Sequence, residues 1–515
     1  MGPRDATGDG LLRTAHVTVL AAVVVSPWLF GSAEPWAYLL MCLLVAVGLA
    51  AWLLSLVRDV RPRVRAIGLT ASLAGLLAFV GLQALPLPYG LARALSPAPA
   101  AVQSARVEAF SQAGLPEFLP PGLQDTHDAA AISASAAATE RSFYLLAAYV
   151  GAFLALANTL TSWQQTRRAA AVIAMSGFVM AVFGLAQKFS GTSDIYWFHT
   201  PRFGGDIFGP FTNRNHFAAY TNMTLGVTLG LLMASSRAPS FQALTTLREK
   251  VAWLSTSKGG PMALLAFGAA LMAAAVCVSL SRGGISSLAA SLGIAGGAAA
   301  LTSKDALHKR GRIVGAVGLL TVAAVLWLGW QPVVGRLGTL VQVAKDPLGN
   351  SRATATLDTV RMFCAAPVLG SGFGTFQHVF PVFQSPSIQF GRWPHAHNDY
   401  AQLLAEGGVV GALLALLAGC LFVAAVWRRF AQATAEARLL VAGLAVGILA
   451  LAVHSLFDFS LHKPAVALLL AALCGMSVAA VHLPARARAA ADKGRADALK
   501  ENQRTRTRAN SQAES

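Results

Sequence analysis

The sequence predicts an all-α, polytopic integral membrane protein of about twelve transmembrane helices, and three observations predict it. Of 515 residues, 55% are hydrophobic and only 12% charged, against about 25% charged in soluble domains. Apolar runs recur at the length of roughly 20 residues that a helix needs to cross a bilayer. Basic residues gather in every second connecting segment, the bias that cytoplasmic loops carry. The net charge of +17 therefore reads as inside-loop charge, and no nucleic-acid partner is expected.

Twelve runs qualify: approximately 14–31, 36–57, 66–86, 141–160, 168–189, 215–234, 261–280, 284–302, 312–330, 400–427, 438–459 and 463–482. The first could pass for a signal peptide. A second span follows within a few residues, so an uncleaved first helix is expected. The eighth, rich in Gly and Ala, is the weakest. Small residues are common throughout and let helices pack closely in lipid.

With the N-terminus placed in the cytoplasm, the inside loops hold "RDVRPRVR", "QQTRR", "KDALHKRGR", "RRF" and the C-terminal tail. Roughly two thirds of the 40 Lys and Arg then lie inside, and the bias alternates with each crossing. The chain divides into N-terminal helices (1–86), an outside loop (87–140), central helices (141–330), a second large outside loop (331–397), C-terminal helices (398–482) and a basic, disordered cytoplasmic tail (483–515). Within the first loop, "ALSPAPAAVQSARVEAFSQAGL" suggests a short amphipathic surface helix. Five Cys are too few and too scattered for a disulfide framework. No metal-ligand spacing and no Walker or Rossmann glycine pattern is present, so no metal or cofactor is expected.

Five polar clusters fall on the outside face. They are "FGPFTNRNHFAAY" (Phe208 to Tyr220), "SLSRGG" (Ser279 to Gly284), "GNSRATATLDTVRMFCAAPVLGSGFGTF" (Gly349 to Phe376), "HAHNDY" (His395 to Tyr400) and "HSLFDFSLHKPA" (His454 to Ala465). Arg282 stands in a turn only a few residues long, so its guanidinium lies at the membrane surface. An arginine at depth costs ~3 kcal/mol on insertion scales and is usually paired or functional. It reads either as an interfacial anchor or as a phosphate ligand, which the planar, permanently charged fork suits. Arg352 and Arg361 are each, alone, ordinary surface charges. Gly370, Gly372 and Gly374 in "GSGFGTF" point to close backbone packing or a tight turn, since no strand precedes them.

His397 has the side chain for a general base, with an unperturbed pKa of about 6.5. Asp399 or a nearby carboxylate would orient it. An interfacial helix cap is the blander alternative. Glu406, two turns into the tenth span, needs a partner, an arginine being one option, and its role reads as structural. His216, His395 and His462 are secondary candidates. Asn213, Asn215 and Asn398 would bind sugar hydroxyls or cap helices; Arg214 joins this supporting set.

These motifs together resemble the O-antigen ligase and O-antigen polymerase family of bacterial envelope glycosyltransferases. The resemblance runs over roughly 208–465, through "FGPFTNRNHFAAY", "LSRGG", "PVLGSGFGTF", "HNDYAQLLAEGGVVGALL" and "HSLFDFSLHKPA". It implies a fold similar to the GT-C lipid-carrier glycosyltransferases, with a helical outside-loop region and an extracytoplasmic site in a bacterial inner membrane. The implied donor is a glycan on undecaprenyl diphosphate. The implied acceptor is a glycan or lipid A-core, without metal or cofactor, and other polysaccharide-assembly proteins are potential partners. Arg282 and Arg352 match the family's diphosphate-contacting arginines and His397 its proposed base. The aromatic usual after the second arginine is missing, which makes Arg361 a rival to Arg352. Polymerisation of a surface polysaccharide (O-antigen, capsule or exopolysaccharide) is the leading expectation. Ligation to lipid A-core or transfer to protein is the alternative, and a small-anion or lipid-carrier transporter is the reading from another class. A transporter would place its polar groups near the bilayer midplane; here they gather on one face.

Overall fold

The computed structural model describes residues 6–58, 64–95, 108, 111–112, 129–201, 205–302, 351–388 and 392–483. The longer helices among them are α1 (Ala6–Val25), α2 (Pro35–Arg58), α3 (Ile67–Ala84), α4 (Ala136–Thr159), α5 (Trp163–Phe189), α6 (Arg214–Ser235), α7 (Gly260–Val278), α8 (Arg282–Thr302), α9 (Ser351–Ala365), α10 (Asp399–Phe430), α11 (Ala435–His454) and α12 (Pro464–Val481). Ten are long and apolar enough to cross a membrane: all of these except α8 and α9. Helix α8 forms where the eighth span was expected. The ninth expected span, 312–330, lies outside the described residues, as do the basic tail and most of the expected amphipathic surface helix.

The multi-pass helical architecture stands, with one addition. Pro86–Pro88 pairs antiparallel with Ala129–Ala131, Leu87 opposite Ala130. This small ribbon closes the base of the first large loop. The chain beyond it is clamped to distant parts: Ser133 N donates to Gln83 O, and Ala134 N to Ser371 O.

Burial ranks the helices. The hydrophobic window of α6 is 94% buried and that of α12 83%, whereas only 11% of the α10 window is covered. Helix α6 is thus the centre post, and α10 presents Leu413, Leu416 and Val423 outward, as a lipid-facing helix would. The closest approach in the bundle joins α6 to α11. Each carries two glycines four residues apart, Gly226 and Gly230 facing Gly443 and Gly447. A Cβ on Gly443 would stand 2.3 Å from Gly230 Cα, and one on Gly226 would stand 2.6 Å from Gly443 O. Small residues at this spacing let two backbones touch. The consequence lies at the helix ends. Helix α6 begins at Arg214 and α11 ends at His454, so their contact draws the start of one polar cluster to the end of another.

Helix α10 is broken at Gly408 (φ 60°, ψ −167°). The break frees carbonyls and amides, and the "PVLGSGFGTF" segment takes them up. Ser371 N donates to Ala405 O, Gly372 N to Glu406 O, Val409 N to Pro367 O and Val410 N to Val368 O. Buried backbone groups are almost always paired, and here two irregular segments satisfy each other. A Cβ on Gly370 would meet Glu406 O at 2.2 Å, and one on Gly408 would meet Val368 O at 2.3 Å. Gly370 serves close backbone packing, as expected for the "GSGFGTF" glycines, and Gly408 does the same from the facing segment.

Candidate active site

Asp458, 1% exposed, is the hub of the polar clusters. It stands just past α11, where Phe459 N donates to its own Oδ1 at 2.8 Å. Asn215 Nδ2 donates to Asp458 Oδ2. Arg352 Nη1 lies 3.7 Å from Oδ2, His397 Nδ1 lies 3.6 Å from Oδ1, and His216 Nε2 lies 4.0 Å from Oδ1. Burial pushes the Asp458 carboxyl up, but His397, His216, Arg352 and His454 outweigh it and hold the group well below the usual carboxylate range. It is an anion held in place by surrounding cations and imidazoles.

The partners are delivered by three elements. Asn213 caps α6 by accepting from Asn215 N at 2.8 Å, which fixes where Asn215 and His216 begin the helix. Arg352 stands in the first turn of α9. His397 immediately precedes the cap of α10: Asn398 Oδ1 accepts from Tyr400 N and Ala401 N at 3.1 and 3.0 Å. His397 itself holds φ 54°, in the sparsely populated left-handed region where strain often marks functional positions. Its ring is 14% exposed, and Trp393 packs edge-on against it at 5.5 Å.

The turn bearing Arg282 joins the same assembly. Ser281 Oγ donates to Asn215 Oδ1 at 2.7 Å, so one asparagine links that turn to Asp458. A Cβ on Gly283 would touch His454 at 3.2 Å, so Arg282's neighbours on both sides contact residues of the hub. The five clusters read from the sequence therefore meet at one end of the helices, as their shared face predicted.

Phe459 organises the imidazoles. His216, His395 and His397 lie with ring centroids 4.8, 4.6 and 4.8 Å from it. Lys463 Nζ sits 5.6 Å above the same ring. Burial lowers the lysine, although the Asp458 charge opposes it. Gln402 fixes His395: Oε1 accepts from Ala396 N at 3.1 Å while Nε2 meets His395 Nδ1 at 3.2 Å. The backbone donor sets the amide's orientation, so His395 Nδ1 accepts and the ring proton sits on Nε2. Burial, then His462 and Lys463, hold His395 well below the ordinary imidazole value.

The geometry bears on three points that the sequence left open. Asp399 does not orient His397; its Oδ1 meets His462 Nδ1 at 2.8 Å and its Oδ2 accepts from Leu461 N at 3.2 Å. Burial would lower His462, but the Asp399 hydrogen bond and charge outweigh it and raise its pKa. The carboxylate beside His397 is Asp458, carried by an element the local sequence around His397 does not contain. Arg361 is no equal rival to Arg352: it bonds Asp358 Oδ1 at 2.7 Å and Ser385 Oγ at 3.0 Å, with a side chain 66% exposed. Glu406 is buried and partnered without an arginine: Oε1 accepts from Phe376 N at 2.9 Å and Gln402 Nε2 at 3.1 Å. It pins the "GSGFGTF" segment to α10, the structural role anticipated for it.

Of the remaining candidates, Arg214 pairs with Asp206 at 2.7 Å, while Asn213 and Asn398 are helix caps. Sequence reading did not single out Asp458, Phe459, Gln402, Ser281 or Lys463 as site residues. The quoted "HSLFDFSLHKPA" contained the signal for three of them, an acid and a lysine at the ends of apolar spans.

No curated protein matches the chain significantly. The family model described as O-antigen ligase matches residues 267–416, a stretch that contains Arg282, Arg352, His397 and Glu406, while Asn215 and Asp458 reach the hub from either side of it. Arg352, His397 and Asn215 meet on one carboxylate at one end of a multi-pass helical bundle, and over 267–416 the chain is similar to the O-antigen ligase family.

Proposed function

We propose that the protein transfers a glycan from a polyprenyl-diphosphate carrier onto a hydroxyl of an acceptor, extending or attaching a surface polysaccharide at the extracytoplasmic face of the membrane. The observation that carries this reading is the position of Asp458 between a guanidinium and an imidazole, Arg352 at 3.7 Å and His397 at 3.6 Å. The reaction needs one group for a departing diphosphate and one for an incoming hydroxyl, within reach of the same anomeric carbon.

In the proposed reaction the acceptor hydroxyl attacks C1 of the donor sugar. The C1–O bond to the diphosphate breaks, and the leaving group takes the electron pair. Arg352 and Arg282 stabilise the charge growing on the diphosphate, a type of contribution worth roughly 10²–10³ in rate. His397 accepts the hydroxyl proton at the nitrogen facing away from Asp458, worth roughly another 10²–10⁴. Asp458 aims the ring and stabilises the imidazolium that forms, as a positioning residue. Direct displacement inverts the anomeric carbon.

Polymerisation is the expectation carried from the sequence. Ligation onto a lipid A-core or protein acceptor is the second reading, favoured by the description of the matching family. The test is to replace Arg282, Arg352 and His397 singly and follow lipid-linked glycan and finished polymer in cells. Accumulated lipid-linked units at normal protein levels are expected; single repeat units mark a polymerase and long chains a ligase. Unchanged polymer in the His397 and Arg282 variants would refute the proposal.

A further inference from the structure

A cavity of about 230 Å3 opens between the C-terminal end of α5, the segment leading into α6, and Ser279 at the end of α7. It shares a wall with the site described above. Arg214, on its lining, directly precedes the Asn215 that bonds Asp458. Ser279, also on its lining, stands two residues before the Ser281 that bonds Asn215.

Its chemistry is mixed at short range. Gln187 is 2% exposed, and its Nε2 donates to Asp194 O at 2.8 Å. Its Oε1 is buried and has no hydrogen-bond partner among the described residues. A buried acceptor left unsatisfied costs roughly 1–3 kcal/mol, and such a group calls for an explanation. Beside it, Asp206 accepts from Arg214 through Oδ2 and remains 64% exposed. A carboxylate has about four lone-pair sites, so this one retains capacity for a ligand's donors. Lys188, exposed on the rim, supplies donors.

We infer that this cavity is a sugar subsite, seating one hydroxyl-rich residue of a glycan substrate next to the reacting groups. The inference rests on the glycosyl-transfer reading. Acceptors and donors side by side suit a pyranose, which offers hydroxyls around its rim. An apolar lipid would leave Asp206 and Gln187 unsatisfied. Ligand pockets for drug-sized molecules run to about 300–1,000 Å3, so this smaller space selects a single ring. The diphosphate is assigned to Arg352, which reaches Asp458 from α9, and to Arg282, neither of which lines this cavity, and this leaves the cavity for the glycan.

The test uses the full chain, purified in nanodiscs. The probe is the oligosaccharide released by mild acid from the lipid-linked repeat unit of the native host, titrated by calorimetry. Wild type is expected to bind, with affinity falling about tenfold in Gln187→Met and in Lys188→Ala. Lys188 is exposed, so its variant answers the question if Gln187→Met fails to fold. No binding by wild type, or equal binding by the folded variants, overturns the subsite. Transfer assays then separate the two sources of sugar. A raised KM for the free oligosaccharide assigns the cavity to the acceptor glycan, and a raised KM for the lipid-linked unit assigns it to the donor glycan. A wild-type protein that binds the oligosaccharide but transfers nothing would sink the glycosyl-transfer reading and leave the subsite standing.

Discussion

Asn215 and Asp458 bond side chain to side chain across 243 residues of sequence. That contact ties the first turn of α6 to the segment following α11, and Arg352 and His397 approach the same carboxylate from two further elements. The site is therefore only as well formed as the packing of α6 on α11.

Replacing Gly443 tests that dependence. Gly443→Ala puts a methyl 2.3 Å from backbone, which must move the helices apart. Overpacking of this kind costs about 1–3 kcal/mol. A lower unfolding temperature in detergent and weakened transfer are expected together. Gly75→Ala, where nothing lies within 4 Å of the new Cβ, is the control and should match or slightly exceed wild type in stability.

The two arginines of α9 are expected to behave differently. Arg352→Ala should slow transfer by roughly 10²–10³. The exposed Arg361 guanidinium bonds the buried Asp358, which also accepts from Ser385 N and Oγ, so Arg361→Ala leaves that carboxylate partnered and should keep the rate within about twofold. Steady-state rates of both purified variants decide it; equal losses would return Arg361 to the site.

Glu406 separates a structural acid from a chemical one. Removing its side chain in Glu406→Ala orphans Phe376 N–H, at roughly 1–3 kcal/mol for a buried group, and takes one of the two partners of Gln402 Nε2. Glu406→Gln keeps an oxygen for Phe376 and should retain most of the activity. A stable but inactive Glu406→Gln protein would give Glu406 a direct part in the reaction.

His462 carries a pH prediction. Its pKa is raised in the fold by Asp399, against the effect of burial. A group raised above its unfolded value of 6.5 contributes stability that is fully present below that pH and lost as pH rises through the folded pKa. Thermal stability of wild type should therefore fall between mildly acidic and alkaline pH. His462→Gln should flatten that slope and lower stability on the acid side, by roughly 1.5–3 kcal/mol for a hydrogen bond to a charged group. Parallel slopes in the two proteins would mean the Asp399–His462 pair does not titrate as described.

The sequence by itself determined the class of the protein, the places of ten of its spans and the order of its polar clusters. Hydrophobicity is written residue by residue, so it is legible without neighbours. The glycines of "GSGFGTF" and the caps at Asn213 and Asn398 were legible for the same reason, since turn and cap chemistry acts within a few residues. Only the tertiary structure decided that Asp458 rather than Asp399 faces His397, that Arg352 rather than Arg361 reaches the hub, and that backbone amides rather than an arginine satisfy Glu406. Local spacing placed Asp399 two residues from His397. Once Asn398 caps α10, however, Asp399 is turned toward His462, while glycine contacts between α6 and α11 hold the segment that delivers Asp458 from beyond α11. Which buried charges meet is set by how closely whole helices can approach, and no short stretch of sequence records that distance.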